Sequence, residues 1–197
     1  TMLNIDRDDK LKLTADDFAG QRVAILGISG TGKSNTAAVI VEEMNPLMPM
    51  TILDYAGEYY GLNEELDFLI VGRSDHAMID VPALNADKLA QFAYANGLSV
   101  ILDMSLRKKA EMYEFSQAYF SALWDCAQKQ RKPYGVLIEE CHHFLPQSGG
   151  DPEIKELFEQ YAKEGRKFGF FLGLSSQRSS KVSKDALTQC NLVFLHK

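Results

Sequence analysis

The sequence predicts an α/β domain of three layers, with a mainly parallel central sheet flanked by helices. Three observations carry this reading. Short runs of β-branched and aliphatic residues recur without polar alternation, as strands covered on both faces require. Segments with apolar residues at helical spacing separate those runs. A glycine-rich loop follows the first run directly and opens into a helix-compatible stretch. Strand–helix alternation of this kind packs as a sheet between two helical layers.

In chain order, residues 1–20 form at most a small appendage, and the domain occupies 21–197. Strands are expected at "RVAILG" (22–27), "TILDY" (51–55), "DFLIVG" (67–72), "SVILDM" (99–104), "GVLIEE" (135–140), "FGFFLGLSS" (168–176) and "NLVFLH" (191–196). The stretch "NTAAVIVEEM" behind the glycine loop reads as a helix. From 107 to about 130, Met112, Phe115, Tyr119, Leu123 and Cys126 fall at helical spacing. From 152, Ile154, Leu157, Phe158 and Tyr161 do the same. Asp151 is placed to cap that helix, Pro152 takes its first position and Gly165 supplies the stop.

Composition narrows the class. The 197 residues can bury one substantial core, and 46% hydrophobic with 24% charged residues is a globular balance. The longest apolar runs fall far short of a bilayer span, and no N-terminal signal pattern is present. Cys126, Cys141 and Cys190 are few, odd in number and without CxxC spacing, which favours reduced thiols and a cytoplasmic, intracellular protein. A net charge of -6 argues against a broadly basic surface but leaves room for a few basic residues focused on one loop or pore.

The loop "GISGTGKSN" spans Gly27, Ile28, Ser29, Gly30, Thr31, Gly32, Lys33, Ser34 and Asn35 and fits G-x-x-x-x-G-K-[ST]. Strand before and helix behind are the context in which this pattern binds nucleotide phosphates. Its glycines let the backbone turn its N–H groups inward, and the helix N-terminus adds partial positive charge. Lys33 is expected to reach the β- and γ-phosphates, and Ser34 to ligate the Mg2+ that bridges them. The guanine-reading [NT]KxD element is missing: "VSKDA" (182–186) lacks the Asn or Thr and the spacing. ATP is therefore the expected nucleotide.

The apolar strand "VLI" ends in Glu139 and Glu140. The first acid is placed to hold Mg2+ through a bound water. The second can orient and deprotonate an attacking water, which points to hydrolysis rather than to transfer onto a metabolite. Zinc is the competing reading, since Glu139, Cys141 and His143 alternate along an extended strand. Zinc sites draw ligands from separated clusters, however, and His76 and His196 stand alone. The expected class is thus a P-loop NTPase domain of the RecA-like/ASCE type.

Four segments carry a family resemblance: the phosphate loop, "ILDYAGEYYGL" (52–62), "LIEECHHF" (137–144) and "EGRKFGFFLGLSSQRSSKVSKDALTQCNLVFLHK" (164–197). Together they resemble the HerA/FtsK group of P-loop ATPases, with HerA-type DNA-translocating ATPases nearest. The resemblance implies an ATP-driven translocase of double-stranded DNA, working as a homo-oligomeric ring, a hexamer, with a nuclease or other effector as a possible partner. It gives Lys33 and Ser34 to phosphate and metal and makes Glu140 the water-activating base. Gln177 becomes a polar sensor of the γ-phosphate, and Asp54 an acid near the phosphates, against a plain reading as a strand-end turn former. Arg166 becomes an arginine finger, against a plain reading as a solvated helix-end charge; Arg178 and Arg22 are lesser candidates. His142 matches a family histidine that could link nucleotide state to neighbouring groups. Glu139 departs from the family's aspartate by one methylene. The chain also lacks the N-terminal β-barrel of the group, so it is expected to be either a motor core cut from a longer protein or a minimal motor like viral genome-packaging ATPases. "RKK" (107–109) and "KQRK" (129–132) could be pore-loop phosphate contacts or solvated helix faces. A P-loop kinase and a non-hydrolysing nucleotide-dependent assembly module are the alternatives outside this group.

Overall fold

The computed structural model describes residues 2–3, 13–14 and 20–197. Strands β1 (Met2–Leu3) and β2 (Leu13–Thr14) pair antiparallel. Residues 1, 4–12 and 15–19 of the expected 1–20 appendage lie outside the described residues.

The remaining strands are β3 (Arg22–Gly27), β4 (Met50–Asp54), β5 (Phe68–Val71), β6 (Ser99–Asp103), β7 (Tyr134–Ile138), β8 (Phe170–Ser176) and β9 (Leu192–His196). They form one seven-stranded sheet in the order β5-β6-β4-β7-β8-β3-β9. Every neighbouring pair is parallel. Alternate residues of β4 to β8 feed two separate cores, which is why those runs read as continuously apolar, while β9 leaves Val193 and Leu195 exposed. Ile52, Ile101 and Leu137 pack with Ala37, Ile40, Val41 and Met44 of helix α1 (Lys33–Met44). Leu53, Leu102, Val136 and Ile138 face α2 (Ala86–Asn96), α3 (Lys109–Lys129) and α4 (Pro152–Glu164) on the other side. A short α5 (Lys184–Leu187) precedes β9.

The α4 start follows the expected chemistry, whereas Gly165 is not a left-handed stop: it keeps φ -52, the chain runs on through the 3-10 turn Gly165–Phe168, and Gly169 at φ 92 ends it. The Asp151 carboxylate accepts from the N–H groups of Glu153 (3.1 Å) and Ile154 (3.2 Å), with Pro152 at the first helical position. The α3 start differs from the expected one. Helix begins at Lys109, and Arg107 is buried just before it. Its guanidinium donates to Asp80 Oδ1 (2.9 Å), the Val81 carbonyl (2.8 Å) and Glu111 Oε1 (2.7 Å), and lies 4.6 Å from the Phe115 ring centroid. Arg107 is therefore withdrawn from any role as a pore cation, because its charge is consumed in pinning the segment before α2 to the head of α3. Lys108 and Lys109 remain exposed, as do Lys129 and Arg131.

Candidate functional site

Strands β4, β7, β8 and β3 are consecutive neighbours and parallel, so the loops leaving their C-terminal ends converge on one edge of the sheet. There they enclose a cleft of about 460 Å³. Ser29, Gly30, Gly32, Lys33, Ser34 and Asn35 line it from the glycine loop, and Tyr55, Ala56 and Glu58 from the turn after β4. Glu139, Glu140 and His143 follow β7, and Gln177 follows β8. A larger groove of about 840 Å³ runs along the first half of α3 beside Asp151 and Glu153, but it holds neither a glycine loop nor paired acids.

The loop is curled on itself. Lys33 Nζ donates to the Ile28 carbonyl (3.0 Å), and Thr31 Oγ1 donates to the same oxygen (2.8 Å). A phosphate oxygen is a stronger acceptor for an ammonium than a neutral carbonyl, so Lys33 is held ready to exchange. Helix α1 starts at Lys33 with no side-chain cap, leaving its first N–H groups to a ligand. Gly27, Ile28 and Thr31 support the loop without lining the cleft.

Asp54 lies beneath the cleft rather than in its wall. Its Oδ1 accepts from the N–H groups of Gly57 (2.8 Å) and Glu58 (3.2 Å), and its Oδ2 from that of Tyr59 (2.9 Å). Burial raises its pKa to about 6 against the pull of those three N–H groups, with Asp103 adding to the rise. This tether aims Glu58, whose Oε2 accepts from the Ser34 hydroxyl at 3.2 Å. Glu58 was not singled out in the sequence. The available signal was its place in the Gly-Glu-Tyr element behind the strand-end Asp54, but a turn does not disclose which way a side chain points.

The paired acids leave the sheet immediately after Ile138, in different environments. Glu139 is 5% exposed, and its Oε2 is buried without a hydrogen-bond partner. Burial pushes its pKa up to about 8, helped by the charges of Glu140, Asp54 and Glu58. Glu140 has φ 45 and ψ 46 and is the one non-glycine residue with positive φ among the described residues. Left-handed backbone costs such a residue about 1 kcal/mol. The tight turn brings its Oε2 to the Gln177 N–H (3.3 Å) and to His142 Nδ1 (3.0 Å). His142 Nδ1 also lies 3.0 Å from Ser176 Oγ, which accepts from the Arg178 N–H at 3.0 Å. Burial, with Arg178 and Lys181, lowers the His142 pKa, so a neutral imidazole meets the carboxylate through Nδ1–H.

Cys141, His142 and His143 face three different surroundings. Cys141 is packed in the apolar core under α3 and α4, and His143 stacks on Tyr55 with centroids 4.0 Å apart. Burial and the neighbouring His142 drop the His143 pKa to about 4. Of the candidate arginines, Arg166 is exposed in the 3-10 turn Gly165–Phe168 and does not line the cleft. Arg22 donates to the Ala162 carbonyl (3.1 Å) and Asn191 Oδ1 (3.2 Å), tying β3 to its surroundings.

Residues 3–186 match the family model described as "Helicase HerA, central domain". The chain is 46% identical over 59 residues to the DNA double-strand break repair helicase HerA of Pyrococcus furiosus, covering 30% of this chain and 10% of that protein. It is 34% identical over 94 residues to a probable helicase of Methanocaldococcus jannaschii, covering 45% of this chain and 18% of that one. The matched segments thus span a fifth or less of these relatives' length. Among solved structures, the genome packaging NTPase B204 of Sulfolobus turreted icosahedral virus 2, in complex with ATP-gammaS, shares the fold. Its TM-score is 0.56 at 18% identity, over 89% of this chain and 73% of that one.

Proposed function

The chain belongs to the family of the HerA helicase central domain, and from that premise we propose that it is an ATP-hydrolysing motor domain acting on double-stranded DNA. One observation carries the reading. A glycine-rich phosphate loop, a buried acid with an unpartnered oxygen and a second acid beside a strand-end amide share a single cleft. Lys33 and the inward N–H groups bind the nucleotide phosphates. Ser34, Glu139 and Glu58 are the oxygens suited to a hard divalent cation, and the orphaned Glu139 Oε2 fits that need. When bound, Mg2+ neutralises charge on the phosphate oxygens. Glutamate in place of the family's aspartate reaches one methylene further into the cleft.

Glu140 is the base: its carboxylate takes a proton from the water that attacks the γ-phosphorus as the bond to the ADP oxygen breaks. The Gln177 side chain orients that water and senses the γ-phosphate. Asp54 acts through the turn that carries Glu58. Arg166, exposed and away from its own cleft, serves a neighbouring subunit's cleft in a homo-oligomeric ring, a hexamer. Residues 21–197 form the motor core, working in the cytoplasm with an effector such as a nuclease. Among the described residues, no helix is long and apolar enough to cross a membrane.

The test is the ATPase rate with and without duplex DNA, alongside Lys33→Ala. Duplex-stimulated turnover that needs Lys33 supports the reading. Phosphorylation of a small metabolite with no response to duplex would replace it with a kinase. Solution mass with a non-hydrolysable ATP analogue reads out the ring.

A further inference from the structure

The last residue of β9 makes a contact that the hydrolysis reading does not use. His196 pairs in register with Gly27, where the chain leaves β3 for the phosphate loop. The approach is close: a Cβ on Gly27 would stand 2.5 Å from the His196 carbonyl oxygen and 2.6 Å from its Cβ. From there the imidazole reaches under the loop, and His196 Nδ1 lies 3.1 Å from the Thr31 carbonyl oxygen. A carbonyl oxygen can only accept, so the ring must present Nδ1–H.

The anchored carbonyl belongs to the Thr31–Gly32 peptide. In a planar trans peptide, C=O and N–H point in opposite directions. Holding the Thr31 oxygen toward His196 therefore turns the Gly32 N–H the other way. Gly32 lines the cleft, whereas Thr31 does not. Gly32 sits at φ 93, and a glycine populates either sign of φ with little preference. A peptide flip at this point is thus cheap unless something fixes one side of it. Thr31 Oγ1 and Lys33 Nζ both bond the Ile28 carbonyl and leave the Thr31 peptide to His196.

We infer that His196 is a positioning residue that locks the Thr31–Gly32 peptide and so aims the Gly32 N–H at the nucleotide phosphates. The role rests on the nucleotide reading of the cleft. It ties the outermost strand of the sheet to the phosphate loop, so that a shift of β9 is felt as a change in phosphate affinity.

The test compares His196→Leu with His196→Asn, which are isosteric and differ in that the asparagine amide can donate near the Nδ1 position. Affinity for Mg-ADP and Mg-ATP-γ-S is measured by fluorescence displacement, with Lys33→Ala as the control. The leucine variant is expected to bind about tenfold more weakly, as for loss of one charge-assisted hydrogen bond. The asparagine variant should recover most of that loss. Leucine binding as tightly as the native chain, or asparagine failing to recover affinity, overturns the role. If Lys33→Ala leaves affinity unchanged, the nucleotide reading fails instead. A measurement on the unmodified chain needs no folded variant: ¹⁵N NMR should find the His196 ring protonated at Nδ1. A ring protonated at Nε2 alone would also overturn it.

Discussion

Glutamine at position 139 should stabilise the protein at neutral and alkaline pH and leave it nearly unchanged near pH 4. Glu139 is 5% exposed, and its folded pKa is about 8 against an ordinary value of 4.5. Below the lower value the carboxyl is protonated both folded and unfolded, so the substitution has little to relieve. Between the two values the unfolded chain releases the proton while the folded chain keeps it. Unfolding then gains about 1.36 kcal/mol per pH unit, or about 3 kcal/mol by pH 7, levelling near 5 kcal/mol above pH 8. Glutamine fills the same space and never ionises, so it escapes this loss. At roughly 2–4 °C per kcal/mol for a chain of this size, the variant's melting temperature should gain about 6–12 °C at pH 7 relative to its offset at pH 4. Thermal unfolding at pH 4, 7 and 9 in buffer free of divalent cations measures it. An offset that is the same at all three pH values, or one that turns against glutamine as pH rises, would refute the reasoning.

Two further substitutions separate chemistry from scaffold. Glu140→Gln should keep ATP affinity within about threefold and lower turnover by roughly 10²–10⁴, the range of a lost general base; unchanged turnover in a single-turnover assay would remove Glu140 from that role. Arg107→Ala should cost about 3 kcal/mol, because it removes a buried guanidinium packed over Phe115 together with its bonds to Asp80, Glu111 and the Val81 carbonyl, although Arg73 still pairs with both carboxylates. The melting temperature should then fall roughly 6–12 °C, while the salt dependence of duplex binding stays as in the native chain. A flattened salt slope with no thermal loss would return Arg107 to the DNA-contacting surface.

The seven strands of the main sheet were legible as unbroken apolar runs, six of them because they are buried within the sheet and β9 although Val193 and Leu195 are exposed. The ends were softer. "GVLIEE" reads as one strand, yet the strand stops at Ile138 and the two acids form a turn in which Glu140 is left-handed, which an apolar pattern does not encode. Strand order was not legible either, since apolar runs carry no record of which neighbour they pair with. At the site, the phosphate loop and both glutamates were readable from local pattern. Arg107 misled because "RKK" looks solvated until Asp80, far back in the chain, is folded against it. His196 carried no signal at all, because its meaning lies in a strand pairing rather than in its neighbours.

That pairing also bears on how the molecule is made. Strand β3, which carries the phosphate loop, has β8 and β9 as its two sheet partners, with Arg22 opposite Leu172 and Val23 opposite Leu192. Ribosomal synthesis therefore delivers the loop's own strand before β4, β5, β6 and β7, and both of its neighbours only after them. The β5, β6, β4 and β7 block can assemble from nearby sequence, while β3 waits with an apolar edge unpaired. The nucleotide pocket cannot close until β8 and β9 are in place beside β3, so a bound nucleotide stabilises the domain only once that pairing has formed.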